Sequence, residues 1–328
     1  MTKRNSLIDI LKGIAMLLVI IGHSIQYANG KEYFDNELFY DNWFFKIIYT
    51  FHMPLFMLIS GYLMGFSRKS FLQGLQNKIK TIVIPTVTFS ILFLWNVPFS
   101  ISFLNPLTTW FYWFLWSNLI CYILFGFIKK INAKYLLAIS FIAMFFIPDS
   151  IIISAHKFMY QMFLVGYWTH SNNLMEYIEK HKKHILYICT FLFILLLPFY
   201  NRNTYIYTTP YCILNDNWER IISIDIFRII IAILGCIVFV ISIGYIQKHL
   251  IKETLASRFL TFVGINSIGF YGFQFLLLII IRRFIWPLNL DHVISTSLTF
   301  VILLIGCSLA TMVCKRLKVL NIIFFGGR

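Results

Sequence analysis

Long apolar runs alternate with short polar or proline-containing breaks along the whole chain, and runs of this length suit helices that cross a hydrocarbon core about 30 Å thick. They predict ten helices, over residues 6–28, 43–66, 79–98, 108–128, 134–148, 151–169, 184–200, 221–246, 259–281 and 292–314. The fifth is short, and the Pro148-Asp149 break divides it from the sixth. The pattern is that of an all-α integral membrane protein: a bundle of about ten transmembrane helices forming one domain over residues 1–328, with no appended soluble domain. No internal repeat of the kind found in many secondary transporters is evident.

Composition agrees. Of 328 residues, 59% are hydrophobic, 19% aromatic and 12% charged, against about 25% charge in an ordinary soluble domain. The net charge of +15 would suggest nucleic acid in a soluble protein, but here the basic residues crowd into alternate breaks. One side of the predicted bundle holds 19 Lys and Arg and the other 7, with Lys12 and Arg228 inside spans. The positive-inside rule then places both termini in the cytoplasm; the chain is expected in the cytoplasmic membrane, with lipid rather than nucleic acid as its surroundings. The loops Lys31–Trp43 and Asn201–Arg220 face outward on this reading. The first run is too long for a signal-peptide core and lacks a small-residue cleavage site, so it stays as the first helix. Six cysteines are scattered without metal-ligand spacing and read as packing residues; no metal is expected.

The chemistry lies in residues that do not suit lipid. The stretch SLIDILKGIAMLLVIIGHS, Ser6 to Ser24, carries Asp9, Lys12 and His23, and a mid-bilayer charge costs at least about 2.5 kcal/mol on insertion scales. Lys12 and His23 are eleven residues apart, which on a helix is about 20° beyond three full turns and about 16 Å of rise, so they share a face. Asp9 is spaced to pair with Lys12. In the second helix, YTFHMPLFMLISGYL brings Tyr49, His52, Pro54 and Ser60, and counting from the outer ends puts His52 within about 6 Å of the depth of His23. Between helices two and three stand Arg68, Lys69, Lys78 and Lys80. They read either as a solvated positive-inside loop or as an anion site, with Lys78 and Lys80 at a helix start. Asp225 and Arg228 are placed to neutralise each other. Asn266, Ser267, Tyr271 and Gln274 in helix nine either bond between helices or line a cavity.

The motifs DILKGIAMLLVIIGHS, FHMPLFMLISGYL, NKIKTIVIP and VGINSIGFY resemble those of the acyltransferase 3 family, and within it the stand-alone members similar to fucose 4-O-acetylase. The resemblance implies a ten-helix bundle that transfers an acyl group, usually acetyl from acetyl-CoA, to a hydroxyl of a cell-surface polysaccharide or lipid-linked glycan. It implies that His23 is the essential histidine, with Lys12 the basic residue before it, and that Lys78 and Lys80, with Arg68, bind the CoA phosphates. Asp9 would set the charge of Lys12. His52, Tyr49 or Ser60 would face the reacting carbonyl or the acceptor. The chain departs from the family pattern in having Lys at 78 and 80 where many members have Arg, and Gln274 where many have His. A multi-pass transporter or flippase of a lipid-linked glycan, or a non-catalytic membrane scaffold, would also place ionisable groups in membrane helices.

Overall fold

The computed structural model describes residues 6–95, 112–130, 134–148, 151–209, 218–248 and 254–327. Every regular element among them is helical. In chain order they are α1 (Ser6–Ala28), α2 (Lys31–Asp35), α3 (Trp43–Gly65), α4 (Phe71–Lys78), a π-turn at Ile79–Val83, α5 (Ile84–Trp95), α6 (Trp113–Lys130), α7 (Lys134–Ala143) and α8 (Ile151–Ser171). There follow α9 (Leu174–Lys180), α10 (Lys182–Leu196), α11 (Trp218–Ile246), α12 (Leu255–Ile265), α13 (Ser267–Ile285), α14 (His292–Arg316) and α15 (Lys318–Phe325). Among the described residues, six segments are long and apolar enough to cross a membrane: Ser6–Ala28, Trp43–Gly65, Lys182–Phe199, Ile221–Ile246, Ser267–Leu288 and His292–Arg316. On α10, Ile188, Phe191, Ile194 and Leu195 are all more than half exposed. An apolar patch of that kind is unfavourable in water and costs nothing against lipid.

Helix boundaries differ from the hydrophobic pattern in three places. The helix expected to open at 79 opens at Phe71, because Ser70 and Gln73 form a reciprocal cap, each backbone N–H donating to the other's side-chain oxygen at 3.2 and 3.3 Å. Lys78 and Lys80 therefore do not sit at a helix start, and no free N-terminus adds its dipole to theirs. The run 259–281 is two helices, broken at Asn266 (φ −104°, ψ 19°), whose side-chain amide donates to the Phe262 carbonyl at 2.8 Å. Asn competes for backbone groups in this way and favours a break. In the run 134–148, α7 ends at Ala143. Residues 96–98 and 108–111 of the predicted third and fourth helices lie outside the described residues.

The chain divides into two compact units: Met1–Ile48, Asn77–Tyr112 and Ile246–Arg328 form one, Tyr49–Gln76 and Trp113–Tyr245 the other. In the first, α1 lies along α12, α13 and α14. Its crossing with α12 is backbone on backbone: a Cβ on Gly13 would collide with the Leu260 carbonyl, and one on Gly264 with the Asp9 carbonyl. Close approach of this kind is how membrane helices gain contact in a solvent as apolar as their own side chains. The terminal helix α15 folds back on α5 and the π-turn, burying Phe324 and Phe325.

The second unit has its own glycine crossing, where Gly61 of α3 meets the Phe163 carbonyl and Gly166 of α8 meets Leu58. Here the Asp225–Arg228 pair is formed and buried, Nη1 to Oδ1 at 2.7 Å. Arg228 also donates to the carbonyls of Thr204 (2.6 Å), Tyr205 (2.9 Å) and Thr209 (3.1 Å). One guanidinium thus fastens the 201–209 loop to α11.

Candidate functional site

Of the residues singled out by sequence, Asp9, Lys12, His23, Lys78 and Lys80 belong to the first unit, and Tyr49, His52, Ser60 and Arg68 to the second. α1 is unbroken from Ser6 to Ala28, so Lys12 and His23 do stand on one helix face, separated by about 16 Å along its axis. Met16 and Val19 fill that face between them and are buried, while Lys12 and His23 are each half-buried. Asp9 is buried beside the Gly13–Gly264 crossing.

His23 is held in place from its C-terminal side. The last turn of α1 has carbonyls with no helical partner, and neighbouring side chains take them. Trp286 Nε1 donates to the Tyr27 carbonyl at 2.8 Å, Ser295 Oγ to the Ala28 carbonyl at 2.6 Å, and Asn29 Nδ2 to the Ile25 carbonyl at 3.0 Å. The Arg282 guanidinium stacks over Trp286 at 4.0 Å and Phe34 at 4.9 Å, with Tyr27 at 5.6 Å. One turn inward, the imidazole packs on Phe275 at 4.8 Å and edge-on to Tyr27 at 5.9 Å. Its polar neighbour is Gln274, which interacts with it side chain to side chain and is fully buried on α13. Tyr112 backs this face of α13, donating to the Gly272 carbonyl at 3.3 Å and packing on Phe275 at 5.7 Å. The alternatives left open for helix nine thus separate: Asn266 breaks the helix, whereas Gln274 turns toward the histidine of α1.

The two lysines differ from each other. Lys78 closes α4 half-buried, and Lys80 is exposed in the π-turn. Two residues along a helical backbone is about 200° of rotation, so they leave it on roughly opposite sides and do not form one clamp. The chain end braces Lys80. Gly326, at φ 69°, lies so close that a Cβ there would collide with the Lys80 carbonyl, and Phe324 anchors the segment against Phe89 (5.0 Å) and Phe273 (5.2 Å). Nothing in the hydrophobic pattern signalled this return.

In the second unit, Tyr49 packs edge-on against buried His52 at 4.7 Å, and both line a recess with Tyr205, Tyr207 and Arg228. Ser60 accepts a hydrogen bond from Asn118 Nδ2 at 2.9 Å. Arg68 is exposed in the turn before α4. Sequence reasoning overlooked a polar pair in this unit: Ser117 Oγ and His156 Nδ1 are 2.5 Å apart, joining α6 to α8. No spacing links two such residues 39 positions apart. Among the described residues, no three His, Cys, Asp or Glu side chains gather as a metal site.

A family model described as an acyltransferase domain matches residues 5–315. Two curated relatives carry the name nodulation protein NolL. The one from Mesorhizobium japonicum is 33% identical over 180 residues, which is 50% of this chain and 47% of that protein. The one from Sinorhizobium fredii is 28% identical over 226 residues, 62% of this chain and 60% of that protein. The matched stretches thus span about half to three-fifths of these relatives. No solved structure matches the chain.

Proposed function

The chain belongs to the acyltransferase 3 family, and from that membership we propose that it moves an acetyl group from acetyl-CoA to a hydroxyl of a cell-surface polysaccharide or lipid-linked glycan, with His23 as general base. The observation that carries this reading is the unbroken α1, which sets a half-buried lysine and a half-buried histidine on one face. In this scheme His23 takes the proton of the acceptor hydroxyl while the hydroxyl oxygen attacks the thioester carbonyl. The tetrahedral adduct collapses with loss of CoA thiolate, and His23 returns its proton to that sulfur. The bonds exchanged are one C–S for one C–O, with no change of oxidation state.

Acetyl-CoA, when bound, supplies the activated acyl group. Lys80 is exposed and able to meet its phosphates as a point charge, and Lys78 faces another side of the same segment. Because the two diverge, they suit phosphates at separate positions better than one phosphate gripped from both sides. Lys12 then lies between the cytoplasmic end of α1 and His23, with Asp9 one turn before it. Ten membrane crossings, both termini in the cytoplasm and residence in the cytoplasmic membrane belong to the same reading, supported by the 19 to 7 division of basic residues.

The test is acceptor-dependent thiol release by the purified protein in nanodiscs, beside uptake of labelled glycan into proteoliposomes. An acetyltransferase releases CoA thiol only when acceptor is present. Glycan uptake without thiol release would identify a transporter instead.

A further inference from the structure

We propose that Gln274 is the positioning residue of His23: its side-chain carbonyl accepts the Nδ1–H of the imidazole and leaves Nε2 as the only nitrogen able to take a proton. This rests on the reading of His23 as the base. The two residues face each other within the first unit, where Phe275, the next residue on α13, packs on the imidazole at 4.8 Å. Gln274 is fully buried, and its side chain is a polar neighbour of the ring.

Two buried polar atoms at this contact lack a formed hydrogen bond, His23 Nδ1 and Gln274 Oε1. Buried polar groups in folded proteins are paired, and each of these atoms is what the other needs. The orientation of the amide decides which way the bond runs. Gln274 Nε2 donates to the Tyr271 carbonyl at 3.3 Å, so the amide presents its oxygen to His23. An amide oxygen only accepts, and a neutral imidazole carries a single N–H. Nδ1 therefore holds the proton, and Nε2 keeps its lone pair.

The same bond serves the charged state. When Nε2 takes a proton, Nδ1–H still points at Oε1, and a hydrogen bond from an imidazolium is stronger than one from the neutral ring. The neutral amide supports the cation without forming an ion pair that would hold it protonated. Tyr27, one turn further along α1, meets the ring edge-on and does not replace this contact.

The experiment is nitrogen-15 NMR of full-length protein in nanodiscs, labelled at histidine and held above about pH 8, where an ordinary imidazole is neutral. His23 is assigned from the signals lost in His23→Ala. In the wild type, His23 should show a protonated Nδ1 and a bare Nε2. Gln274→Leu should move the ring to the Nε2–H form and lower kcat about 10- to 100-fold, the range seen when histidines at metal sites lose a supporting partner, with both KM values unchanged. Gln274→Glu keeps an oxygen acceptor and should keep the Nδ1–H signal. An Nε2–H ring in the wild type, or a tautomer unmoved in Gln274→Leu, overturns the proposal. The tautomer is read without turnover, so an Nδ1–H ring in a protein that transfers no acyl group overturns the acetyltransferase reading and not this pairing.

Discussion

Gly13 of α1 and Gly264 of α12 meet backbone to backbone, where a Cβ on Gly13 would collide with the Leu260 carbonyl and one on Gly264 with the Asp9 carbonyl. This crossing fixes the N-terminal half of the helix that carries Lys12 and His23. Gly264→Val drives a branched side chain into the Asp9 carbonyl and is expected to cost at least the 1–3 kcal/mol typical of overpacking. Thermal unfolding in detergent should show the loss, whereas Gly264→Ala should fall between the variant and the wild type.

Arg228 is held by one carboxylate and several loop carbonyls, and its side chain is only 2% exposed. Arg228→Ala leaves Asp225 as a buried charge without its cation, a change that costs about 3–5 kcal/mol. Adding Asp225→Asn to that variant should recover part of the loss. Proteolysis within the 201–209 loop is the direct readout, because the same guanidinium ties that loop down.

Gly326 sits at φ 69° against the Lys80 carbonyl. Gly326→Val is expected to shift the π-turn and raise the KM for acetyl-CoA, in the same direction as Lys80→Gln. A charge-assisted hydrogen bond contributes about 1.5–3 kcal/mol, which corresponds to a rise of roughly 10-fold or more. Steady-state kinetics on both variants checks the effect, and an unchanged donor KM in Lys80→Gln would remove Lys80 from the donor site.

Among the described residues, the hydrophobic pattern located the six helices long enough to cross a membrane, because a membrane segment must satisfy its backbone internally and be apolar outside, which leaves a strong one-dimensional signal. The shared face of Lys12 and His23 was legible for the same reason, since helical periodicity alone fixes it. What stayed hidden depends on local capping or on tertiary contact. Ser70 and Gln73 moved a helix start by eight residues, from 79 to 71, through a cap that hydropathy does not register. Gln274 stood out as a polar residue in an apolar helix and as a departure from a family pattern, but only the packing of α13 on α1 brings it to His23. The return of Phe324 and Phe325 to Phe89 and Phe273, like the Ser117–His156 contact, joins positions too far apart for any periodicity to connect.

Transfer of radiolabelled acetyl from acetyl-CoA to glycan, measured with purified protein in nanodiscs for wild type and His23→Ala, tests the central claim most directly. Label should reach glycan with the wild type and fall to background with His23→Ala, while the variant unfolds at the wild-type temperature. Undiminished transfer by folded His23→Ala would contradict the role given to this histidine.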